Sequence, residues 1–481
     1  MSTNQKTLTN LLWRFAERCG SQGVTFIVSI VLARLLDPEV YGTVAIVTAI
    51  TMILQVFVDS GLGNALIQKK DADDLDFSSV FHFNFVVCIV LYIGMFFAAP
   101  FIAKFYGNQE LVPIVRVISL TLVISGVKNI QQAYVSRNLM FKRFFYSTLV
   151  GVIASAIVGI AMAYAGLGIW SIVFQQLSNA AIGTAVLWLT VKWRPKLMFS
   201  WNRLKSLLSF GWKLLVSALL DTVYMNLREL LIGKFYSESQ LAFYTQGDKF
   251  PKLIVTNINS SIDSVLLPTM SAEQDDRERV KSMTRRSIKT SVFIMAPLMM
   301  GLVAVAEPLV RLVLTEKWLP CVFFLRIFCI TYMFYPIHTA NLNAIKAMGR
   351  SDIFLKLEAM KVGIGILLLI ISIPISVEAI ACSLLISCVT SQIINTWPNR
   401  KLLGYSYLAQ LKDIFPSIAI AVVMCFAVYL VGFLGFNDVL TLAIQVVVGA
   451  LVYVGLSKLF KIESFNYLLG VVKSFIKKRS A

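Results

Sequence analysis

The sequence predicts an all-α integral membrane protein with about fourteen transmembrane helices, arranged as two pseudo-symmetric six-helix lobes plus two extra C-terminal helices. Three observations predict this class. Among 481 residues, 57% are hydrophobic and only 15% are charged, whereas soluble domains carry about 25% charged residues. The apolar residues form blocks close to the length of about 20 residues that a bilayer requires of a helix. The two halves of the chain also share landmarks at a fixed offset.

The apolar blocks favour helices over the strands of a β-barrel. Blocks such as 364–375 and 446–456 contain no charge and lack the alternation that gives a barrel strand one lipid-facing and one polar side. The predicted spans are, in order, 11–33, 41–65, 80–103, 111–135, 145–165, 168–191, 207–233, 241–267, 288–314, 319–344, 353–375, 377–396, 414–433 and 439–459.

Domain boundaries follow from these spans. The predicted parts are an N-terminal lobe at 1–191, a cytoplasmic linker at 192–206, a C-terminal lobe at 207–397, two additional helices at 398–460 and a basic amphipathic cytoplasmic tail at 461–481. In the tail, one helix face gathers Ile462, Phe465, Leu468, Val472 and Phe475. We therefore expect the tail to lie along the membrane surface.

The net charge of +18 reflects membrane topology and not nucleic-acid binding, because the basic residues lie in short loops and form no RNA-binding signature. One set of alternate loops holds most of them, including the run 277–289, whereas the other holds little beyond Arg34, Lys104, Lys234 and Lys317. Cytoplasmic loops retain Lys and Arg, so both termini are expected in the cytoplasm and the protein in the cytoplasmic (inner) membrane. The N-terminus lacks the features of a cleaved secretory signal.

An internal repeat links the two halves at an offset of a little over 200 residues. Val112-Pro113 followed by Arg116 corresponds to Leu319-Pro320 followed by Arg326. The loop SRNLMFKRF corresponds to KAMGRSDIF, and the turn LARLLDPEVYG to LIGKFYSESQLAFY. These matches predict two related lobes with a substrate path between them.

Polar residues inside four spans recur every three or four positions, so each set shares one helical face. The sets are Arg14, Arg18, Gln22, Thr25 and Ser29; Thr48, Thr51, Gln55 and Asp59; Lys213, Ser217, Asp221, Tyr224 and Arg228; and Thr245, Asp248, Lys252, Thr256, Asn259 and Asp263. Because polar groups are costly in a bilayer, four such faces predict a shared polar cavity.

The cations on these faces favour an anionic substrate, and phosphate above all, because a guanidinium can donate two hydrogen bonds to it. The candidate substrate-binding residues are Arg14, Arg18, Gln22, Gln55, Lys213, Tyr224, Arg228, Lys252 and Asn259, and the candidate ion-coupling carboxylates are Asp59, Asp221, Asp248 and Asp263. Three alternatives to these roles remain open. Arg14 and Arg18 could extend to the lipid headgroups and take no part in substrate binding. Asp221 and Asp248 could form salt bridges between helices. Arg228 would pair with Glu229, or Glu229 with Lys234.

No catalytic residue, metal site or cofactor is predicted. His82 and His338 have no partner spacing for a metal, so hydrogen-bonded structural roles are favoured. The seven cysteines have no CxxC spacing and serve as small apolar residues. The acidic run at 71–76 is interpreted as a solvated loop.

Several segments together resemble one family across nearly the whole chain. They are LARLLDPEVYGTVAIV, FVDSGLGNALIQKKD, FIAKFYGNQELVPIVRVISL, NLRELLIGKFYS, AEPLVRLVLTEKWLP and NAIKAMGRSDIFLKLE. They look like the polysaccharide-transporter branch of the multidrug, oligosaccharidyl-lipid and polysaccharide exporter superfamily, with lipopolysaccharide, colanic acid and teichuronic acid exporters as the most similar types. The segment AFYTQGDKFP departs from the Tyr-x-Arg-Ala-Tyr pattern of many members, so no substrate contact is carried over there.

The resemblance implies a flippase that works by alternating access. Its cargo would be an undecaprenyl-pyrophosphate-linked oligosaccharide repeat unit, moved from the inner to the outer leaflet for surface polysaccharide biosynthesis, with membrane lipid, a polymerase and glycosyltransferases as partners. Two alternatives are a cation-coupled multidrug antiporter of the same superfamily and a membrane polymerase, ligase or glycosyltransferase. Short outer loops argue against an enzyme, and mixed charges argue against an acidic drug pocket. A purely structural scaffold would not need the four polar faces.

Overall fold

The computed structural model describes residues 3–59 and 61–479, without the side chains of 3–12, 14–16, 210, 213, 471–472 and 475–479. The described residues form helices, turns and loops without a strand, so the predicted all-α class is confirmed. Two compact units are present, one at Met1–Ala242 and one at Phe243–Ala481. The boundary between them falls early in a long helix, Glu238–Ala272.

The first unit is built from nine helices and the start of a tenth. They are α1 (Thr3–Leu35), α2 (Pro38–Asp59), α3 (Leu62–Gln68), α4 (Asp74–Tyr106), α5 (Leu111–Ile118), α6 (Leu120–Arg137), α7 (Phe141–Tyr164), α8 (Ile169–Thr190), α9 (Trp201–Phe235) and α10 (Glu238–Ala272). The second unit takes most of α10 and adds α11 (Arg277–Ala304), α12 (Ala306–Val313), α13 (Cys321–Met333), α14 (Tyr335–Ala347), α15 (Ser351–Ser372), α16 (Val377–Leu402), α17 (Tyr407–Val431), α18 (Asp438–Leu459) and α19 (Glu463–Arg479).

Ten helical segments of the described chain are long and apolar enough to cross a membrane, and the bent helix α9 raises the number to eleven. The chain is therefore a multi-pass membrane protein. Outside the ten are the long helices α1, α9 and α10, which carry three of the four polar faces recognised in the sequence, and α15, which has Asp352, Lys356, Glu358 and Lys361 in its first half. The short helix α12 and the C-terminal helix α19 also lie outside the ten.

The sequence landmarks of the two halves have the same local geometry. Leu36 N–H bonds to Leu32 O and Tyr236 N–H to Ile232 O, both at 2.9 Å, and two residues separate the helices at each junction. Arg116 Nε donates to the Phe96 carbonyl at 3.2 Å, as Arg326 Nε donates to the Val303 carbonyl at 3.4 Å.

The corresponding turns after α6 and α14 also close in the same way. Leu139 and Gly349 have left-handed φ angles of 53° and 70°. The next residue of each turn donates its N–H back into the helix, Met140 to Val135 O at 3.0 Å and Arg350 to Ile345 O at 3.1 Å. A left-handed residue at this place is the usual way to end a helix.

The acidic segment before α4 is not a solvated loop throughout, and that interpretation is wrong for Asp76. This carboxylate is fully buried and pairs with Lys69 at 2.7 Å and Arg203 at 3.2 Å. Asp73 Oδ1 accepts the N–H of Asp76 at 3.0 Å and so caps the helix. Lys196 pairs with Asp74 at 2.6 Å. These bonds anchor the segment 192–203 to the start of α4.

Aromatic packing encloses this anchor. Phe77, Tyr134 and Trp193 contact one another with ring centroids 5.7 to 5.8 Å apart. They belong to or pack against a buried cluster with Leu62, Leu66 and other residues of the same unit. Charge pairing and apolar burial therefore close the same end of α4.

Candidate functional site

In the first unit, Asp59 lies between α2 and α6. Its Oδ1 accepts hydrogen bonds from Asn129 Nδ2 at 3.0 Å and from Gln55 Nε2 at 3.4 Å. The Asn129 amide also donates to the Val58 carbonyl at 3.0 Å. The predicted cavity residue Gln55 and the predicted carboxylate Asp59 are thus in contact, and an asparagine of another helix holds them.

The second unit repeats this arrangement. Asp263 of α10 accepts a hydrogen bond from Asn343 Nδ2 of α14 at 2.9 Å. One turn earlier, the buried Oδ1 of Asn259 has no hydrogen-bond partner, and neither does Oδ1 of Asn343. Each unit therefore has a carboxylate, on α2 in the first and on α10 in the second, that is bound by an asparagine of the broken helix that follows α4 or α11.

A second carboxylate of α10 forms an ion pair within its own helix. Asp248 Oδ2 and Lys252 Nζ are 3.0 Å apart, with 13% and 60% of their side chains exposed. The Tyr332 hydroxyl donates to Asp248 Oδ1. A predicted coupling carboxylate and a predicted substrate-binding lysine thus neutralise each other, one helical turn apart.

Among the predicted site residues whose side chains the structure describes, Arg228 of α9 is the most buried cation, with 5% of its surface exposed. Its guanidinium carbon lies 5.7 Å from the centroid of the Tyr224 ring. Within the described residues, its Nε and Nη2 are buried without a hydrogen-bond partner, and no ion pair includes it. The alternative pairing of Arg228 with Glu229 is therefore not found among the described residues.

Neighbouring contacts place Arg228 near one end of α9. The Tyr106 hydroxyl donates to the Leu230 carbonyl at 3.4 Å, and Lys234 Nζ contacts the Phe105 carbonyl and lies 4.4 Å from the Phe105 ring centroid. Seven residues separate Arg228 from the helix end at Phe235, which corresponds to about 10 Å along the axis.

The remaining predicted residues are dispersed. Arg18 is exposed and Gln22 is half-buried on α1, and Asp221 is exposed on α9. Gln22, Asp221 and Lys252 have further interactions. The side chains of Arg14 and Lys213 lie outside the described residues. The structure thus brings together Gln55 with Asp59, Tyr224 with Arg228, and Asp248 with Lys252.

Three contacting residues were missed in the sequence: Asn129, Asn343 and Tyr332. The two asparagines had a usable signal, because both precede the matched turns, by ten residues in one half and by six in the other. Tyr332 had none, because an aromatic residue in an apolar helix usually indicates packing.

The two histidines form hydrogen bonds inside the helices. His82 Nδ1 donates to the Ser78 carbonyl at 2.7 Å. His338 Nδ1 lies 3.0 Å from Asn395 Nδ2, and its Nε2 lies 3.4 Å from Cys388 Sγ. If the Asn395 amide donates to Nδ1, the proton of the His338 ring is on Nε2, which faces Cys388 Sγ. Among the described residues, no three His, Cys, Asp or Glu side chains are grouped as metal ligands.

Comparison with known proteins assigns this chain to a family. The model of the polysaccharide biosynthesis protein family matches residues 31–323. The succinoglycan biosynthesis transport protein ExoT of Rhizobium meliloti is 25% identical over 66% of this chain and 64% of its own length. The teichuronic acid biosynthesis protein TuaB of Bacillus subtilis is 25% identical over 84% and 85%. The lipopolysaccharide biosynthesis protein WzxC of Escherichia coli is 23% identical over 87% and 83%.

Solved structures show the same fold. The lipid II flippase MurJ in an inward closed conformation matches 94% of this chain and 98% of its own, with a TM-score of 0.76 at 17% identity. An inward-facing multidrug resistance MATE transporter matches 80% and 94%, with a TM-score of 0.62 at 13% identity. The membership predicted from sequence is confirmed: the chain belongs to the polysaccharide biosynthesis protein family.

Proposed function

We propose that this protein flips polyprenyl-pyrophosphate-linked oligosaccharide repeat units from the inner to the outer leaflet of the cytoplasmic membrane, for surface polysaccharide biosynthesis. The family and the fold make it a transporter and not an enzyme. The relatives named for succinoglycan, teichuronic acid and lipopolysaccharide support a glycan cargo. The cargo moves by alternating access between two lobes.

The observation that carries this proposal is that the buried Nε and Nη2 of Arg228 have no hydrogen-bond acceptor among the described residues. Buried donors of a charged group that lack acceptors destabilise a protein, so their retention is explained by a ligand that supplies the missing acceptors. A phosphate offers several oxygens to such a donor. We assign Arg228 to the pyrophosphate, with Arg14, Arg18 and Lys213 adding positive charge and the ammonium group of Lys252, paired with Asp248, donating hydrogen bonds. Gln22, Gln55, Tyr224 and Asn259 bind sugar hydroxyls.

The carboxylates are proposed to couple transport to an ion. Asp59 and Asp263 are each held by an asparagine, which can donate to the charged form and can accept from the protonated form after its amide turns over. Asp248 and Asp221 are the other candidates. The partners proposed in the cell are membrane lipid, a polymerase and glycosyltransferases of the same pathway.

We also propose that α1, α9, α10 and α15 cross the membrane, which gives fourteen spans with both termini in the cytoplasm. These helices have 33, 35, 35 and 22 residues, and about 20 suffice to cross. Their polar side chains lower the mean hydropathy by which a membrane-spanning helix is recognised. A fluorescent protein fused to either terminus should fold and fluoresce, whereas an alkaline phosphatase fusion there should be inactive.

The function is tested in cells depleted of the protein. Lipid extracts analysed by mass spectrometry should contain accumulated polyprenyl-pyrophosphate glycan, and surface staining should show loss of the polymer. Unchanged lipid and glycan pools would favour the multidrug antiporter, whose fold is shared.

The site is tested by complementation of those depleted cells. Arg228→Gln should leave the glycan accumulated, and Arg228→Lys should restore transport in part because a lysine keeps the charge but loses the paired donors. Lys234→Gln, on the same helix, is the matched control and should restore transport. If Arg228→Gln at equal membrane abundance restores transport fully, Arg228 does not bind the pyrophosphate.

A further inference from the structure

The second unit contains a cavity of about 880 Å³ that the polar faces do not use. It is lined by the first half of α11, by α17 from near its start to Val423, by the end of α18 and by the start of α19. Its volume is within the range of about 300–1,000 Å³ that small-ligand pockets occupy.

The walls of the cavity are apolar along the helix axes. Pro416, Ile420 and Val423 line it from α17, and Leu456 lines it near the end of α18, followed by Phe460. Val423 and Phe460 are 53% and 65% exposed, so the wall continues onto the lipid-facing surface of the unit. A hydrocarbon chain would cover such an apolar wall, whereas a soluble anion would leave it exposed to water.

The rim of the cavity is basic. Four cations and two carboxylates line it, Arg285, Lys289, Lys412, Lys461, Asp413 and Glu463. Each of the two carboxylates forms an ion pair with one of the cations. Arg285 binds Asp413 through two hydrogen bonds of 2.7 and 2.6 Å, and Lys289 binds Glu463.

Lys412 and Lys461 remain, and both are exposed. Among the residues that the structure describes, neither forms an ion pair. With two cations in excess over two neutral pairs, the rim is complementary to a ligand with negative charge.

The backbone at Lys461 gives a second reason to assign a role to that side chain. Its φ angle is 49°, in the left-handed region that glycine adopts without strain and a lysine adopts at a cost of about 1 kcal/mol. The position would accept glycine at the α18–α19 junction. The lysine is therefore explained better by its ammonium group at the cavity than by the turn itself.

We propose that this cavity binds an anionic phospholipid of the surrounding membrane, with the phosphate at Lys412 and Lys461 and the upper acyl chain along the α17 and α18 wall. Basic pockets between membrane helices at the end rich in Lys and Arg bind such headgroups. Arg400 and Lys401 belong to the same end. The site does not depend on the cargo of the transporter.

The test measures lipid binding to the purified full-length protein by native mass spectrometry, with phosphatidylglycerol, phosphatidylcholine and undecaprenyl phosphate as probes. The double variant K412Q/K461G removes both free cations, and glycine suits the φ angle at 461. The matched control K401Q/K458Q removes two exposed lysines of the same end that do not line the cavity. Val423→Trp fills the cavity without a change of charge.

Wild type and K401Q/K458Q should bind phosphatidylglycerol in preference to phosphatidylcholine. K412Q/K461G should bind phosphatidylglycerol about thirtyfold more weakly, since each of the two cations near a membrane surface contributes about 1 kcal/mol and about 1.4 kcal/mol is tenfold, and V423W should also bind it weakly.

Four results would overturn the proposal. Equal weakening in both double variants would indicate general surface charge, and unchanged binding in K412Q/K461G would remove the two lysines from the site. Stronger retention of undecaprenyl phosphate than of phosphatidylglycerol would assign the cavity to the substrate lipid. If K412Q/K461G is unstable, V423W alone decides: unchanged phosphatidylglycerol selectivity in that variant overturns the cavity as the site.

Discussion

The helices α4 and α11 begin in the same way but carry opposite charge. Each is capped by an aspartate whose Oδ1 accepts the N–H of the residue three positions later at 3.0 Å, Asp73 in one and Asp276 in the other. Near the start of α4, the helix supplies the acid Asp76, and bases of the preceding and following segments bind it. In α11 the helix supplies the bases Arg285 and Lys289, which lie further along its first half, and acids of α17 and α19 bind them.

The difference teaches that the repeated backbone does not fix the chemistry of the helix end. In the first unit the ions are closed over by an aromatic cluster around Phe77 and Trp193. In the second unit the additional helices leave an open cavity with two cations in excess. The two helices thus share a backbone arrangement, while their charged groups differ in sign and in exposure to solvent.

The largest effect is expected from disrupting the close contact between α2 and the start of α10. Gly42 of α2 faces the backbone of Glu238, and a Cβ there would lie 1.9 Å from the Glu238 carbonyl oxygen. Gly42→Ala should therefore lower the free energy of unfolding by about 3 kcal/mol or more. Gly94→Ala is the control, because no atom lies within 4 Å of its added Cβ. Thermal unfolding in detergent measures both, and equal midpoints would show that the junction tolerates movement.

The next effect is expected at the buried acid of α4. Asp76→Asn leaves Lys69 and Arg203 without their shared carboxylate, and we expect a loss of about 2–3 kcal/mol. The Asp74 side chain is 47% exposed, so Asp74→Asn should cost less than about 1 kcal/mol. A similar loss for both variants in the same unfolding assay would mean that burial does not distinguish the two acids.

A smaller effect is expected at the equivalent helix of the second unit. Arg285 is 55% exposed and Asp413 is 9% exposed, so solvent screens their two hydrogen bonds. A double-mutant cycle with Arg285→Gln and Asp413→Asn should give a coupling energy of about 1 kcal/mol. A coupling as large as that of Arg203 with Asp76, measured in parallel, would remove the contrast between the helices.

The smallest effect is a dependence on acid pH. The N–H of Asp76 and the nearby Arg203 hold the pKa of Asp73 below its ordinary value of 3.8. Since the folded pKa is the lower one, the stability that Asp73 contributes is present above the unfolded pKa and is lost as pH falls through the folded pKa.

The thermal midpoint of the wild type should thus fall more steeply below about pH 4 than that of Asp73→Asn. Glu463 has a pKa below 4.5 because Lys289 donates to it, so Glu463→Gln should flatten the curve in the same direction. Identical slopes in all three proteins would assign the acid sensitivity to other groups.

Much of this fold follows from sequence, and the reasons are visible at particular residues. Long apolar blocks predict helices, and the junction before Pro38 and the turn at Gly349 follow from residues that end helices. Asp76 was misjudged because its neighbours Asp71, Asp73 and Asp74 suggest a solvated run, whereas burial depends on the distant Trp193 and Arg203. The pairs made by Asp59 and Asp263 depend on contacts between helices far apart in the chain, which periodicity does not report.

The two-residue connection between α1 and α2 has a mechanical consequence. Because two residues span about 7 Å at most when extended, the joined ends of these helices cannot separate, and the pair can only pivot there. Helix α1 has 33 residues and is about 50 Å long. A rotation of about 10° at the junction therefore moves the free end of α1 by about 9 Å, so the helix is a lever in which a small angle at one membrane surface becomes a wide displacement at the other.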